Sequence, residues 1–205
     1  MKREAIAESR SSAASTVPAA GEVQVRRIEL GPGGRQEARA ALGRILAEAL
    51  GEPHPPALVQ SENGKPRLAV EPGRLAFNLS HSGGLALVAL APGGVDVGVD
   101  IERIKERRDF ARLAARWLPD ADARAVAAVP PADQAAVFYP AWTRHEARVK
   151  CTGVGLAGEA PGPEVTAVQV EIDAGYAAAV AVAIAIGPLS SGSAEPLVVV
   201  KTWDG

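Results

Sequence analysis

Aromatic residues are scarce in this chain: three Phe, two Tyr and three Trp among 205 residues. That scarcity argues against stacking platforms for nucleobases and leaves a core of small aliphatic side chains packed closely across elements. Cysteine is represented by Cys151 alone, which excludes an intramolecular disulfide framework and a cysteine-rich zinc site and suits a reducing cytoplasm. The longest apolar run, Tyr176 to Ile186, falls well short of the ~20 residues that a membrane-spanning helix needs. At the N-terminus, Glu4 and Glu8 follow Lys2 and Arg3 with no apolar centre, so no secretory signal is read there. An excess of one charge is also missing. The 22 basic and 24 acidic residues leave a formal net charge of −2, with no whole-molecule attraction to nucleic acid or an anionic membrane. The chain reads as a cytoplasmic, monomeric protein whose electrostatic partners must be sought locally.

What is present is a 47% hydrophobic composition, enough for one substantial domain or two small packed halves. Residues 1–21, rich in Ser and Ala, carry no sustained periodicity and read as a mobile tail. Glu22 to Leu30 alternates as a strand, with a parity break at Arg26 and Arg27 that reads as a bulge, before Gly31-Pro32-Gly33-Gly34 forces a turn. Arg35 to Leu50 carries Leu42, Ile45, Leu46 and Leu50 at helical spacing, and Gly51 stands where a helix is closed. Leu75 to Leu79, Leu85 to Ala91 and Val95 to Ile101 read as strands separated by Ser-His-Ser-Gly-Gly and Pro-Gly-Gly turns. Ile104 to Trp117 and Ala132 to Cys151 read as helices, the second interrupted at Pro140 and ended by Gly153 and Gly155. Strands follow at Thr166 to Ile172 and Ala177 to Ile186, and after a Gly/Pro/Ser-rich loop Leu197 to Val200 reads as an edge strand. The expected organisation is a tail (1–21), an N-terminal half (22–94) and a C-terminal half (95–205), each half mixing strands with one or two helices.

The chemistry-bearing residues fall in short patches. In Val95-Asp96-Val97-Gly98-Val99-Asp100-Ile101-Glu102 the apolar residues take one strand parity and Asp96, Gly98, Asp100 and Glu102 the other. Two positions along a strand is ~6.6 Å, a separation at which Asp100 and Glu102 can share a hard cation, with Gly98 leaving room beside them. Taken alone, the pattern equally describes a solvated strand face. On the helix from Ala132, Thr143, Glu146, Ala147 and Lys150 share one stripe, beside an aromatic stripe of Phe138 and Trp142. Glu146 and Lys150 make either a surface ion pair or a third carboxylate beside a phosphate-binding cation. Phe77-Asn78-Leu79-Ser80-His81-Ser82-Gly83-Gly84 ends a strand in hydroxyls, an imidazole and glycines, where backbone N–H groups and His81 can meet an anion. It is also an ordinary polar hairpin turn, and Gly64-Lys65-Pro66 lacks the flanking residues of a phosphate loop.

In order and spacing, Gly64-Lys65-Pro66, Phe77 through Gly83, Val97-Gly98-Val99-Asp100-Ile101-Glu102, Trp142-Thr143 through Glu146 and Lys150, and Gly153-Val154-Gly155-Leu156 closely resemble the motifs of 4′-phosphopantetheinyl transferases of the Sfp type. The resemblance implies an α+β fold, a pseudo-twofold pair of similar α/β halves, each a small mainly antiparallel sheet packed with helices, with coenzyme A between them. It further implies Mg²⁺ held by Asp100, Glu102 and Glu146. Glu146 and Lys150 would be catalytic, with Lys150 on the coenzyme A diphosphate. Lys65, Pro66, Ser80, His81, Ser82 and Gly83 would lie around the nucleotide and its 3′-phosphate. The implied partner is an acyl or peptidyl carrier protein. The basic stretch Arg103 to Arg116, with Arg103, Lys105, Arg107, Arg108, Arg112 and Arg116 against Glu106 and Asp109, is its expected docking surface if the carrier is acidic.

The chain departs from the family pattern at two points. His145 stands where a lysine usually precedes the helix glutamate, and Asp122 is the nearest match to a second acidic residue. The N-terminal half is also short, so that Arg26, Arg27 or Arg35 is expected to supply the 3′-phosphate cation. A catalytically impaired coenzyme A or carrier-protein binding module is the competing reading. A Cys151 nucleophile and a dinucleotide fold find no supporting pattern.

Overall fold

The computed structural model describes residues 15–106, 109–153, 165–183 and 197–203. β1 (Glu22–Glu29) leads into α1 (Arg35–Leu50), followed by β2 (Leu58–Gln60), β3 (Pro66–Leu68), β4 (Leu75–Ser82), β5 (Leu85–Pro92) and β6 (Asp96–Arg103). Then come α2 (Phe110–Trp117), α3 (Asp120–Ala127) and α4 (Gln134–Thr152), and finally β7 (Val165–Val170), β8 (Tyr176–Ala183) and β9 (Leu197–Thr202). The result is a mixed α/β fold with small, mainly antiparallel sheets.

One sheet has the order β4-β5-β1-β9 and another β6-β8-β7, with β2 and β3 forming a separate ribbon. Strand alternation sets the layers. From β5, Leu85, Leu87, Ala89 and Ala91 face the second sheet, where Val97, Val99 and Ile101 of β6 and Val180 and Val182 of β8 meet them. The opposite face of β5, Ala86, Val88 and Leu90, packs under Leu42, Ile45 and Leu46 of α1. On the far side of the second sheet, Ala179 and Ala181 lie against Ala147 and Cys151 of α4. Both faces of the central strands are covered, which is why β5 reads as an unbroken apolar run instead of alternating. Each fully buried Leu or Val contributes about 1.5–3 kcal/mol of transfer free energy before entropy is charged against it.

α4 is pressed directly onto β6 at Gly98. A Cβ built there would lie 2.1 Å from the Ala147 carbonyl oxygen and 2.4 Å from the Cys151 nitrogen. The bare position therefore serves helix packing, and the space expected beside the carboxylates is filled by α4. α4 ends at Gly153, whose left-handed φ of 77° lets its N–H cap the Val149 carbonyl.

Several expectations need correction. β1 pairs with β5 in one unbroken register from Gln24↔Leu90 to Glu29↔Leu85, so there is no bulge. Arg26 and Arg27 sit on opposite faces of an ordinary strand. Arg26 faces Glu48 of α1 at 3.6 Å, and Arg27 pairs with Asp173 beyond β7. The helix expected from Ile104 starts only at Phe110, because β6 continues to Arg103. Pro140 does not break α4, whose helix runs through it. Its own carbonyl is taken up by Gln169 Nε2 at 2.7 Å. Ser15 and Thr16, expected in the tail, bond the Ala49 carbonyl at 2.9 and 3.0 Å, and Val17 packs on the first core. Residues 1–14, the loop 187–196 and the end of the strand expected to reach Ile186 lie outside the described residues. The final strand does form, but it pairs in parallel with β1, returning the chain to the first sheet.

Candidate active site

The site lies where the edge strands of the two main sheets run side by side. β4 is the last strand of its sheet and β6 the last of the other, and no backbone ladder joins them. Side chains take the ladder's place. Asn78 Oδ1 accepts the Val99 N–H at 3.0 Å, and Ser82 Oγ accepts the Arg103 N–H at 3.1 Å, so the exposed edge of β6 finds acceptors. Between these two bonds, Ser80 Oγ donates to Asp100 Oδ1 at 2.9 Å and Ser82 Oγ donates to Glu102 Oε2 at 2.9 Å. The parity that places Asn78, Ser80 and Ser82 on one face of β4 thus matches that of Asp100 and Glu102 on β6.

α4 closes the site from the other side. Lys150 Nζ donates to Asp100 Oδ1 at 2.6 Å and to Ser80 Oγ at 3.0 Å. Asp100 is only 3% exposed, and its Oδ2 is buried without a partner. Glu146 is pushed up to about 7 by burial, then by the charge of Asp100, against the pull of Lys150, with Glu102 adding to the rise. Burial also raises Glu102, offset by its bond from Ser82. Glu146 therefore feels the charge of both Asp100 and Glu102 in a desolvated corner.

All three candidate ligands offer carboxylate oxygen, the donor type that suits Mg²⁺, and Asp100 Oδ2 is a buried acceptor with no hydrogen-bond partner. Among the described residues no three His, Cys, Asp or Glu side chains stand together as a ready-made cage. Lys150 is bonded to Asp100 Oδ1 at 2.6 Å, where a second positive charge would otherwise bind. The residues fit the ion by chemistry, with side-chain adjustment required.

A cleft of about 250 Å³ adjoins this corner and is lined by Gly64, Lys65, Pro66, Asn78, Glu146 and Lys150, among others. Lys65 and Pro66 are thus brought beside the helix residues, but Lys65 is not a free cation. Its side chain is 8% exposed, and Nζ is bonded to the Cys151 carbonyl at 2.8 Å and to Asp96 Oδ1 at 3.3 Å. It ties the β2–β3 ribbon to the end of α4. Ser80 and Ser82 spend their hydroxyl protons on carboxylates instead of presenting them to the cleft. Both lie within strand β4, so the turn shrinks to Gly83 and Gly84. Gly83 has φ 58°, and a Cβ there would meet the Tyr176 hydroxyl at 2.7 Å and Arg103 Cδ at 2.9 Å.

His81 is half-buried, and its pKa is lowered by burial and then by the charges of Arg35, Lys150 and Arg39. A cluster of positive charge therefore stands around this imidazole. Arg26 and Arg27 are engaged in ion pairs elsewhere, leaving Arg35 of the three expected arginines near it. Arg39, one turn further along the exposed face of α1, was missed in the sequence. Its spacing of four from Arg35 was the available signal.

His145 and Asp122 turn away from the carboxylates. Asp122 faces Arg144 at 3.5 Å, and both residues line a separate groove with His145 between α3 and α4. Burial and then Arg148 lower the His145 pKa, with Asp122 opposing. The histidine that replaces the usual lysine is thus outside the cleft. Cys151 is buried, its thiol donates to the Asp96 carbonyl at 3.2 Å, and burial pushes it up to about 11, so it offers no nucleophile.

An acidic face of β6, the Glu146–Lys150 face of α4 and the Lys65–Pro66 turn thus meet around one cleft. The family model for the 4′-phosphopantetheinyl transferase superfamily matches residues 96–184. The 4′-phosphopantetheinyl transferase AcpT of Salmonella typhimurium is 36% identical over 134 residues, which cover 65% of this chain and 68% of that protein. AcpT of Escherichia coli (strain K12) is 38% identical over 130 residues, 61% of this chain and 63% of its own length. HetI of Nostoc sp., also named a 4′-phosphopantetheinyl transferase, is 35% identical over 123 residues, covering 58% of this chain and 51% of HetI. The chain belongs to the 4′-phosphopantetheinyl transferase superfamily. No described helix is long and apolar enough to cross a membrane.

Proposed function

We propose that the chain transfers the 4′-phosphopantetheine group from coenzyme A to a serine of an acyl or peptidyl carrier protein, as a single-chain enzyme of Sfp type acting in the cytoplasm as a monomer. The observation that carries this reading is Glu146 and Lys150 lining the Lys65–Pro66 cleft, with Lys150 bonded to the buried Asp100 and the half-buried Glu102 two positions along the same strand. One chain supplies both sheets that flank the site, which is what a pseudo-twofold enzyme needs.

In the proposed reaction the carrier serine oxygen forms a bond to the β-phosphorus of coenzyme A. The bond from that phosphorus to the bridging oxygen breaks, and adenosine 3′,5′-bisphosphate leaves. Glu146 accepts the serine proton, since it lines the same cleft as Lys150 one helical turn away. Lys150 moves its ammonium from Asp100 to the leaving diphosphate oxygen and offsets the charge that grows there. Asp100, Glu102 and Glu146 would hold Mg²⁺, which when bound neutralises charge on the diphosphate. Arg35 and Arg39, around the neutral His81 imidazole, form the cationic corner available to the 3′-phosphate.

The carrier is proposed to dock on the basic flank that continues β6. Arg103 and Lys105 line this flank, Arg112 and Arg116 stand on the adjoining α2, beside Asp109 and over the Trp117 ring respectively, and Arg107 and Arg108 fall outside the described residues. Next to Glu102, a pocket of about 240 Å³ lined by Leu113, Trp117, Phe138 and Trp142 offers an apolar seat inside this charged rim. An acidic partner with one projecting apolar side chain suits both features. The double change Arg112→Glu with Arg116→Glu is expected to weaken an acidic carrier about tenfold at low salt, ~1.4 kcal/mol. Titration of carrier into the enzyme at two salt concentrations checks this, and an affinity indifferent to both salt and substitution would count against the surface.

The activity itself is tested by intact-mass analysis of apo carrier proteins incubated with coenzyme A and Mg²⁺. A mass gain of one phosphopantetheine on at least one carrier is the expected result. A folded enzyme that modifies none of them would favour a coenzyme A or carrier-binding module that has lost catalysis.

A further inference from the structure

The connection from β6 to α2 closes at both ends on one side chain of α4. The Tyr139 hydroxyl accepts the Lys105 N–H at 3.0 Å and donates its own proton to the Lys105 carbonyl at 3.2 Å. A phenol oxygen can do both at once, so one atom holds both backbone groups of one residue. The Tyr139 ring meets Phe110, the first residue of α2, edge-on with centroids 5.7 Å apart. Tyr139 is only 6% exposed and also packs edge-on against Phe138, so the anchor is rigid. The segment it holds is not. β6 ends at Arg103, and Ile104, Lys105 and Glu106 beyond it are exposed. Lys105 lines the pocket that also takes in Glu102, Leu113, Trp117 and Trp142, and its charge opposes the rise that burial imposes on Glu102. Its ammonium therefore stands toward the carboxylates, on the rim shared by this pocket and the site.

We propose that Tyr139 is a positioning residue for the carrier protein: by bonding the Lys105 backbone in both directions it fixes this lysine on the pocket rim to meet an acidic partner. This rests on the reading of the basic flank as the carrier's docking surface. The physical argument is preorganisation. A lysine on an unrestrained segment past a strand end must give up backbone freedom when a partner engages it, and a segment ordered beforehand spares the complex that cost. Tyr139 does not line the Lys65–Pro66 cleft, so its hydroxyl acts on the carrier side alone.

The test is a double-mutant cycle on the full chain, with the wild type, Tyr139→Phe, Lys105→Gln and the pair assayed for transfer to an acidic apo acyl carrier protein at low and high salt. Phenylalanine keeps both ring contacts, and water can reach the exposed Lys105 backbone, so the fold is expected to survive. Tyr139→Phe is expected to raise the Michaelis constant for the carrier about fivefold at low salt, with kcat at saturating carrier unchanged. Its calorimetric affinity for coenzyme A stays at the wild-type value, which also reports an intact cleft. High salt removes the difference, because the charge that Tyr139 positions is then screened. In the Lys105→Gln background, Tyr139→Phe adds nothing further. A Michaelis constant for the carrier left unchanged by Tyr139→Phe overturns the proposal, as do additive effects in the pair. A defect of equal size at both salt concentrations, or a parallel loss of coenzyme A affinity, overturns it too, since the hydroxyl would then act through the packing of α4. If Lys105→Gln itself leaves the carrier's Michaelis constant unchanged, the docking surface on which the proposal stands is wrong at this rim, and the proposal falls with it.

Discussion

Asp100→Asn is expected to slow single-turnover transfer about 10³-fold, a loss of ~4 kcal/mol in transition-state stabilisation. The reason lies in the two oxygens of one side chain. Oδ1 is held by Ser80 and Lys150, and Oδ2 is buried with no partner. The amide keeps an oxygen for Ser80 and Lys150 but loses the negative charge, and it presents N–H₂ or a neutral oxygen where a cation ligand is required. Stability should move little. The substitution gives up a charge-assisted bond to Lys150, and it also removes the carboxylate whose charge raises Glu146 and Glu102. These effects oppose each other, so the unfolding free energy is expected to stay within about 1 kcal/mol of the wild type. Rapid-quench transfer assays beside urea unfolding separate the two quantities. A rate within tenfold of wild type in a folded Asp100→Asn protein would remove Asp100 from the catalytic centre.

Gly98→Ala should do the reverse and act first on folding. The new methyl would be placed 2.1 Å from one backbone oxygen of α4 and 2.4 Å from a backbone nitrogen, and neither can rotate aside as a side chain would. β6 is also held by β8 along its whole length, from Asp96↔Ala183 to Arg103↔Tyr176. The helix must therefore lift off the strand, opening the contact of Ala147 and Cys151 with Ala179 and Ala181. A cost of about 4 kcal/mol is expected, above the usual range of about 1–3 kcal/mol for overpacking because both atoms met are backbone. The measurement is the shift in denaturant midpoint, with Gly73→Ala as the control. Nothing lies within 4 Å of a Cβ at Gly73, and its φ is not positive. That change is expected to be neutral or slightly stabilising. A Gly98→Ala protein as stable as the control would mean that α4 does not sit on β6 this closely.

Much of this was legible in the chain. Period and punctuation located α1 to its ends, because Leu42, Ile45, Leu46 and Leu50 follow one face and Gly51 closes it. The parity of Asp100 and Glu102 was correct for the same local reason, since alternation along a strand needs no knowledge of its neighbours. What was not legible depended on partners distant in sequence. The space at Gly98 belongs to a helix about fifty residues away, and the partners of Ser80 and Ser82 lie across a sheet junction. The partners of Lys65, the Cys151 carbonyl at the end of α4 and Asp96, likewise lie far along the chain and could not be read beside Pro66. α3, with Val126 as its one buried residue, carries too little periodicity to be seen. The helix expected at Ile104 was extended backward because a basic, partly apolar stretch fits helix and strand end alike.

The single cysteine has a chemical consequence for an enzyme proposed to handle coenzyme A. That coenzyme ends in a thiol, and its oxidised form is a disulfide able to exchange with any reactive thiolate nearby. Cys151 is buried between α4 and β6, gives its proton to a carbonyl and is pushed up to about 11, so it presents almost no thiolate at neutral pH. A mixed disulfide with the coenzyme is therefore closed to the folded protein. Oxidation of the coenzyme would therefore act through the supply of its thiol form, with Cys151 taking no part in the exchange.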